Sequence, residues 1–351
     1  MSGMSPLAPP QEVDVARIEQ ELEQLWRDSE TSDHPITRAT AFNLVLICES
    51  RSVEEARELI PDLALVHPTR TILVVLNENA PAAQRAWVTA HCRKLEGENR
   101  QICSEAIILE MDGEAELRAS SLVHSLSLGS LATAIVWHSS LPLNHPLLKI
   151  LSQSCERVIT CATDNLAPAS TLKEWFELYE SVPSECVVTD LLWAELSGWR
   201  GAVAELFDVC PAHSELLEVR IHSLGSKLTC GSLLSAAWIA STLEWQLESV
   251  SLLGSRPVIA FTNDRKIVFH LDGGSAPAGI EFIFANDLTA AVVREEENFT
   301  LTYNGHTHIA RAREADILTL LTHELHAWGR DPRMDKSVRM AHDWLPELLF
   351  S

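Results

Sequence analysis

From Val13 onward, apolar side chains recur at Val15, Ile18, Leu22, Leu25 and Trp26, one face of an amphipathic helix that runs out in the polar stretch DSETSDHP. Continuous apolar runs then alternate with segments of helical spacing. AFNLVLIC, TILVVLN, QICSEAIILEM, LATAIVW and RVITC read as strands, and residues 52–65, 82–95, 114–129, 144–153 and 170–180 read as the helices that follow them. Strands this uniformly apolar are buried on both faces, and helices between them imply a mostly parallel sheet. QICSEAIILEM is longer and more mixed, which suits an antiparallel edge strand.

The pattern changes after SVPSEC at 181–186. In DLLWAELSGWRGAVAELF, residues 190–207, the side chains of Leu192, Leu196, Trp199, Val203, Leu206 and Phe207 fall on one core-facing stripe, about 100° wide. Ser197-Gly198 interrupts this helix. Serine caps helices and glycine weakens their interior, so two short helices meeting at a bend are expected. The strand ELLEVRIHS, a helix at 229–247, and short alternating strands from Pro257 to Ala310 come next, the last divided by ND, DGG, EN and NG turns. Such spacing predicts an antiparallel meander. Helices at 314–327 and 336–350 finish the chain. The expected class is α/β in three parts: a tail and amphipathic helix at 1–35, a Rossmann-like, mostly parallel sheet with flanking helices at 36–181, and an α+β domain with the meander and C-terminal helices at 182–351.

A length of 351 residues agrees with about two domains of ordinary size. Charge changes the picture more: 49 acidic against 27 basic side chains give a formal −22. A surface this acidic repels nucleic-acid phosphates and anionic lipid, and no basic patch offsets it. The opening MSGMSPLAPPQEV lacks a basic leader, and LLSAAWIASTLEWQL is too short and polar to span a bilayer, so a cytoplasmic protein is expected. The eight cysteines form no C-x-x-C pair, which argues against a zinc knuckle and for reduced, packed thiols.

Candidate chemistry is sparse. No G-x-G-x-x-G follows AFNLVLIC, so the sheet lacks the glycine turn that admits a pyrophosphate, and no cofactor is expected. LGSKLTCGS at 224–232 lacks the first glycine of a phosphate loop. His306 and His308 share a strand face, and His323 and His326 share a helix face; a metal-dependent hydrolase would need both pairs, yet HELH is not H-E-x-x-H. Cys103, with Glu105 near it in sequence, invites a nucleophile reading beside His67, but strand packing explains it better. Arg70, in HPTR at the less usual end of a strand, reads as a structural residue paired to a carboxylate. Cys155 and Cys161 flank one helix-to-strand passage as two packed thiols. Trp199 reads as core, whereas Trp193 and Arg200, seven apart on the flank of the stripe, are candidates for a partner-binding edge. A sugar- or nucleotide-binding α/β module is a further alternative.

Taken in order, TRATAFNLVLIC, HPTRTILVVL, CSEAIIL, LATAIVWHSSLPL, VVTDLLWAELSGWRGAVAELFD and SLLSAAWIASTLEW resemble the OpcA family of glucose-6-phosphate dehydrogenase assembly proteins. The resemblance covers roughly residues 13–250 and weakens in the meander. It implies a non-catalytic partner that assembles or allosterically activates glucose-6-phosphate dehydrogenase, the NADP-dependent entry enzyme of the oxidative pentose phosphate pathway. Family members often carry proline after Ser or Thr where this chain has Gly198, which favours a helix start at Ser197. The interface, the stoichiometry, the oligomeric state of the chain itself and any redox-switching cysteine pair stay open at this level.

Overall fold

A computed structural model of the chain describes residues 5–6, 10–30, 36–94, 101–138, 141–161, 166–210, 215–223, 227–271, 279–285, 287–312 and 316–350. Most of the proline-rich lead, the DGG turn and the start of LGSKLTCGS lie outside these residues. Two compact units are present, one of residues 1–162, 178–190 and 317–328, the other of 163–177, 191–316 and 329–351. The chain therefore passes between units several times, not once near Ser181. Among the described residues no helix is long and apolar enough to cross a membrane.

In the first unit the chain forms β1 (Ser5–Pro6), β2 (Gln11–Val13), α1 (Ile18–Glu30), β3 (Ile36–Arg38), β4 (Phe42–Glu49), α2 (Val53–Val66) and β5 (Thr69–Asn77). It continues through β6 (Ala83–Lys94), β7 (Gln101–Asp112), α3 (Ala119–Leu126), β8 (Thr133–Trp137), α4 (Pro146–Leu151) and β9 (Arg157–Thr160). After α5 (Leu172–Ser181), β10 (Val187–Asp190) completes a sheet ordered β1-β6-β7-β5-β4-β8-β9-β10. Leaving aside the three-residue β3, which pairs in parallel with β7, the parallel strands are ordered third, second, first, fourth, fifth, sixth, the doubly wound Rossmann arrangement. The apolar runs are buried on both faces as their composition requires: every residue from Phe42 to Cys48 and from Thr69 to Leu76 is buried.

Two expectations fail at one place. Residues 82–95 were expected to be helical but form β6, in which Ala86, Val88, Ala90 and Cys92 are buried at alternate positions. That period of two, set among small residues that also favour helices, decides the outcome once β7 is available to pair. β6 runs antiparallel to β7 from Ala83↔Asp112 to Lys94↔Gln101, so β7 lies inside the sheet and not at its edge. This register puts Cys92 opposite Cys103, and the two are joined by a disulfide rather than left as separate thiols.

At the amino-terminal end of β5, Arg70 stands beside Glu105 of β7, with side chains 3% and 0% exposed. The Arg70 guanidinium donates to Glu105, to Glu19 of α1 (2.6 Å) and to the Leu126 carbonyl at the end of α3 (2.7 Å). Glu105 also accepts from Arg38 of β3 (2.8 Å) and from the Trp26 indole of α1 (3.1 Å). The expected pairing of Arg70 with a carboxylate is thus present, and it anchors α1, whose Ile18 and Leu22 are fully buried.

The second unit holds α6 (Leu191–Glu195), α7 (Ser197–Val209), β11 (Leu216–His222) and α8 (Cys230–Thr242). Its meander comprises β12 (Leu247–Leu253), β13 (Arg256–Phe261), β14 (Arg265–His270), β15 (Gly279–Phe284), β16 (Thr289–Glu295), β17 (Asn298–Tyr303) and β18 (His306–Arg311). The strand order is β12-β13-β14-β11-β15-β16-β17-β18, antiparallel except where β11 meets β14. β12 replaces the end of the helix expected at 229–247; Glu244, with φ of 55°, turns the chain out of α8. Asn304-Gly305 adopts positive φ at both residues, the hairpin turn its sequence demands. The expected bend falls at Leu196, between α6 and α7. Trp199 packs on Phe299 (5.0 Å between ring centres) and Phe207 on Phe282 (4.9 Å). A Cβ on Gly198 would lie 3.5 Å from the Phe299 ring, an ordinary contact, so the space does not require glycine there. After α9 (Ile317–His326), which belongs to the first unit, α10 (Pro332–Phe350) packs on α8 in the second.

Replacing Arg70 by methionine leaves Glu105 charged and buried, and should cost about 3–5 kcal/mol in urea unfolding. The double variant Arg70→Met/Glu105→Leu should be more stable than Arg70→Met alone. Equal stability of the two would mean that the lost ion pair is not the cause.

Candidate functional site at the carboxyl ends of the parallel strands

Doubly wound sheets bind ligands outside the carboxyl ends of their strands, near the point where strand order reverses, here between β4 and β8. That rim is acidic in this chain. Glu49 ends β4 and pairs with Arg51 (2.7 Å), and Glu54 and Glu55 occupy the first turn of α2. Glu78 follows β5, Glu116 follows β7, and His145 precedes α4 in the segment after β8. A cleft of about 160 Å³ opens among Glu49, Ser50, Arg51, Asn77 and Glu78.

Glu78, Glu116 and His145 bring one ligand atom each within 4.8 Å of the others, the one such group of potential metal ligands among the described residues. His145 is buried, with Nε2 2.8 Å from Glu116 and 3.4 Å from Glu78. Its Nδ1 accepts the Leu147 amide (3.1 Å) and so caps α4, with Pro146 at the first helical position. A neutral imidazole has one lone pair, and the cap uses it; Nε2 therefore carries the proton that it donates to Glu116. No lone pair is left for a metal. Burial, aided by Glu78, pushes the Glu116 carboxyl up, and His145 opposes that shift.

A dinucleotide fits no better. The turn from β4 to α2 contains no glycine, and the carboxylates at the start of α2 oppose a pyrophosphate where free amides and a helix dipole would otherwise attract one. Fold and rim together define a class: a Rossmann-type α/β unit joined to an α+β unit with a large, mostly antiparallel sheet, its nucleotide crevice rimmed by carboxylates.

Within that class, residues 60–177 match the family described as glucose-6-phosphate dehydrogenase subunit N-terminal domain, and residues 186–338 match the corresponding C-terminal domain. The chain belongs to the OpcA family. A relative from Nostoc punctiforme, provisionally named OxPP cycle protein OpcA, is 29% identical over 189 residues, 53% of this chain and 40% of the relative. A protein of the same name from Synechococcus elongatus is 25% identical over 242 residues, 67% of this chain and 53% of the relative. The matched regions thus span about half or less of those relatives. Among solved structures, biliverdin reductase from Synechocystis aligns over 89% of this chain and 99% of its own, at 8% identity and a TM-score of 0.48. Glucose-6-phosphate 1-dehydrogenase from Mycobacterium avium aligns over 88% and 93%, at 8% identity and a TM-score of 0.44.

The residues singled out from sequence are mostly committed to structure. Cys103 is bonded to Cys92, which removes the thiolate a nucleophile needs, and Glu105 is held by Arg70, Arg38 and Trp26. Cys155 meets Cys186 (3.7 Å between sulfurs), not Cys161, because the parallel neighbours β9 and β10 begin side by side. His308 pairs with Glu205 (2.8 Å), His323 lies 3.7 Å from Glu324, and His326 contacts the Thr322 carbonyl through Nδ1 (2.8 Å). Neither histidine pair belongs to a three-ligand group among the described residues. The Arg200 guanidinium lies 3.8 Å from the centre of the Trp193 ring and donates to the Trp193 carbonyl (2.8 Å). Trp193 is itself buried, its indole donating to Asp331 (3.1 Å). Sequence reasoning passed over Glu78, Glu116 and His145. The His-Pro pair ahead of an apolar helix was a readable capping signal, but the carboxylates come from distant loops.

His67 packs between Phe42 and His326 (ring centres 5.7 and 4.3 Å apart), and burial, then the neighbouring His326, lowers its pKa below the usual 6.5. The unfolded chain therefore takes up this proton first as pH falls through 6.5, and stability drops from there down to the lowered folded value. Above that window His67 contributes no slope. In urea unfolding at pH 7.5 and pH 5.5, His67→Phe should lose less stability between the two conditions than the parent; an equal loss would refute this assignment.

Proposed function

We propose that this chain is a non-catalytic partner of glucose-6-phosphate dehydrogenase, acting in the cytoplasm as an assembly factor or allosteric activator in the oxidative pentose phosphate pathway. The observation that carries the reading is the ordered match of both halves of the chain to descriptions of a glucose-6-phosphate dehydrogenase subunit. The acidic rim and the glycine-free turn from β4 to α2 support it, since a chain that turned over a dinucleotide would need the pyrophosphate seat that this turn opposes. An activator must bind the active state of its partner more tightly than the inactive one, and a differential of about 1–3 kcal/mol corresponds to roughly 5- to 150-fold in affinity.

The test is size-exclusion chromatography of the chain with its cognate dehydrogenase, with and without reductant, together with initial-rate kinetics of the dehydrogenase. Co-elution and a lowered KM or raised kcat are expected; failure of both ends the proposal. For the recognition edge, Arg200 is the side chain to change, because Trp193 is buried. Arg200→Ala should weaken activation several-fold while leaving the melting temperature within a few degrees of the parent. Trp193→Ala should instead cost about 3–5 kcal/mol of folding.

A further inference from the structure

In the second unit, a small cavity of about 40 Å³ lies at the amino-terminal end of α8 and takes no part in the reading above. Its apolar side is made by Leu196, Trp199, Ile221 and Ile280, and among the described residues no acidic side chain lines it. Ser223, directly after β11, is held by a backbone bond from its amide to the His270 carbonyl (3.0 Å) and is 8% exposed. Its hydroxyl lines the cavity, buried and without a hydrogen-bond partner among the described residues. The ring of His222, the preceding residue on the strand, points to the opposite face, where it stacks on His270 (4.7 Å between ring centres) and lies 3.6 Å from Glu281.

The backbone supplies a second donor. In the first turn of α8 the Cys230 amide donates to the Ala167 carbonyl (2.8 Å), and the Ser232 amide to Thr229 Oγ1 (3.2 Å). The Gly231 amide, buried at the cavity wall, has no partner among the described residues. Native proteins rarely leave two buried donors unpaired in one place, because each forfeits its hydration without return. α8 has 13 residues, and the partial positive charge of such an amino terminus favours a negative group over a neutral one. A cavity this small has room for a few atoms beyond one water, which is the size of an oxyanion head and not of a nucleotide.

We propose that this cavity is an oxyanion site that takes the phosphoryl or carboxylate head of a small metabolite. The Gly231 amide and the Ser223 hydroxyl donate to the anion, and Trp199 and Ile280 flank the apolar part of the ligand. The site lies within one unit and needs no dehydrogenase, so it stands or falls separately from the proposed partnership.

The test uses the full chain, with inorganic phosphate and acetate as separate probes at constant ionic strength, followed by thermal unfolding and by the amide resonance of Gly231. A concentration-dependent rise in melting temperature is expected together with a shift of that resonance. Ser223→Ala should weaken binding about tenfold or more while leaving the ligand-free protein as stable as the parent, since the hydroxyl it removes has no partner. A response to phosphate alone would assign a phosphorylated ligand, and to acetate alone a carboxylate. No response to either at tens of millimolar, or equal binding by Ser223→Ala, would overturn the proposal.

Discussion

The buried ion pair between Arg70 and Glu105 is the constraint around which the first unit is arranged. Two charges removed from water are tolerated only when the remaining donors and acceptors are also met. Here they are: Arg70 reaches Glu19 and the Leu126 carbonyl, and Glu105 receives Arg38 and Trp26. Those four partners sit on three elements, Glu19 and Trp26 both on α1, so satisfying one pair fixes α1, β3 and the end of α3 against two neighbouring strands. A second buried pair lies at β9, where Arg157 pairs with Glu324 of α9 and donates to the Ala327 carbonyl, while its Nε has no hydrogen-bond partner among the described residues. That second pair explains why residues 317–328, late in the chain, belong to the first unit.

At the carboxyl ends of the parallel strands, strand order and side-chain chemistry point in different directions. The strand order that elsewhere creates a nucleotide crevice is intact, but the first helix of the crevice begins with two glutamates and its turn has no glycine. His145 spends its lone pair on a helix cap and its proton on Glu116. The cluster looks like a metal site by distance and is a capping network by hydrogen-bond bookkeeping. Fold likeness carries no information about this difference; only the side chains at the rim do.

In the second unit, the stretch from Leu191 to Val209 divides its side chains between two roles. Leu192, Leu196, Trp199, Val203 and Leu206 are buried, as one helical stripe should be. Trp193 and Arg200 stack on the flank, and the arginine's bond to the Trp193 carbonyl spans the break between α6 and α7. A bend that weakens two short helices is thus stapled by the residues that flank it.

Local pattern by itself determined much of this protein. Continuous apolar runs placed the parallel strands, helical spacing placed most helices, turn residues placed the hairpins of the meander, and the missing glycines already counted against a dinucleotide. These signals lie within a few residues, so they survive without knowledge of neighbours. What only the tertiary structure decided depends on pairing between distant segments. Residues 83–94 carry both helix-favouring small residues and a period of two, and the presence of β7 beside them chose the strand. That pairing in turn set Cys92 against Cys103, as the parallel start of β9 and β10 set Cys155 against Cys186. The carboxylates around His145 come from loops far apart in sequence, where no periodicity records which side chains will meet.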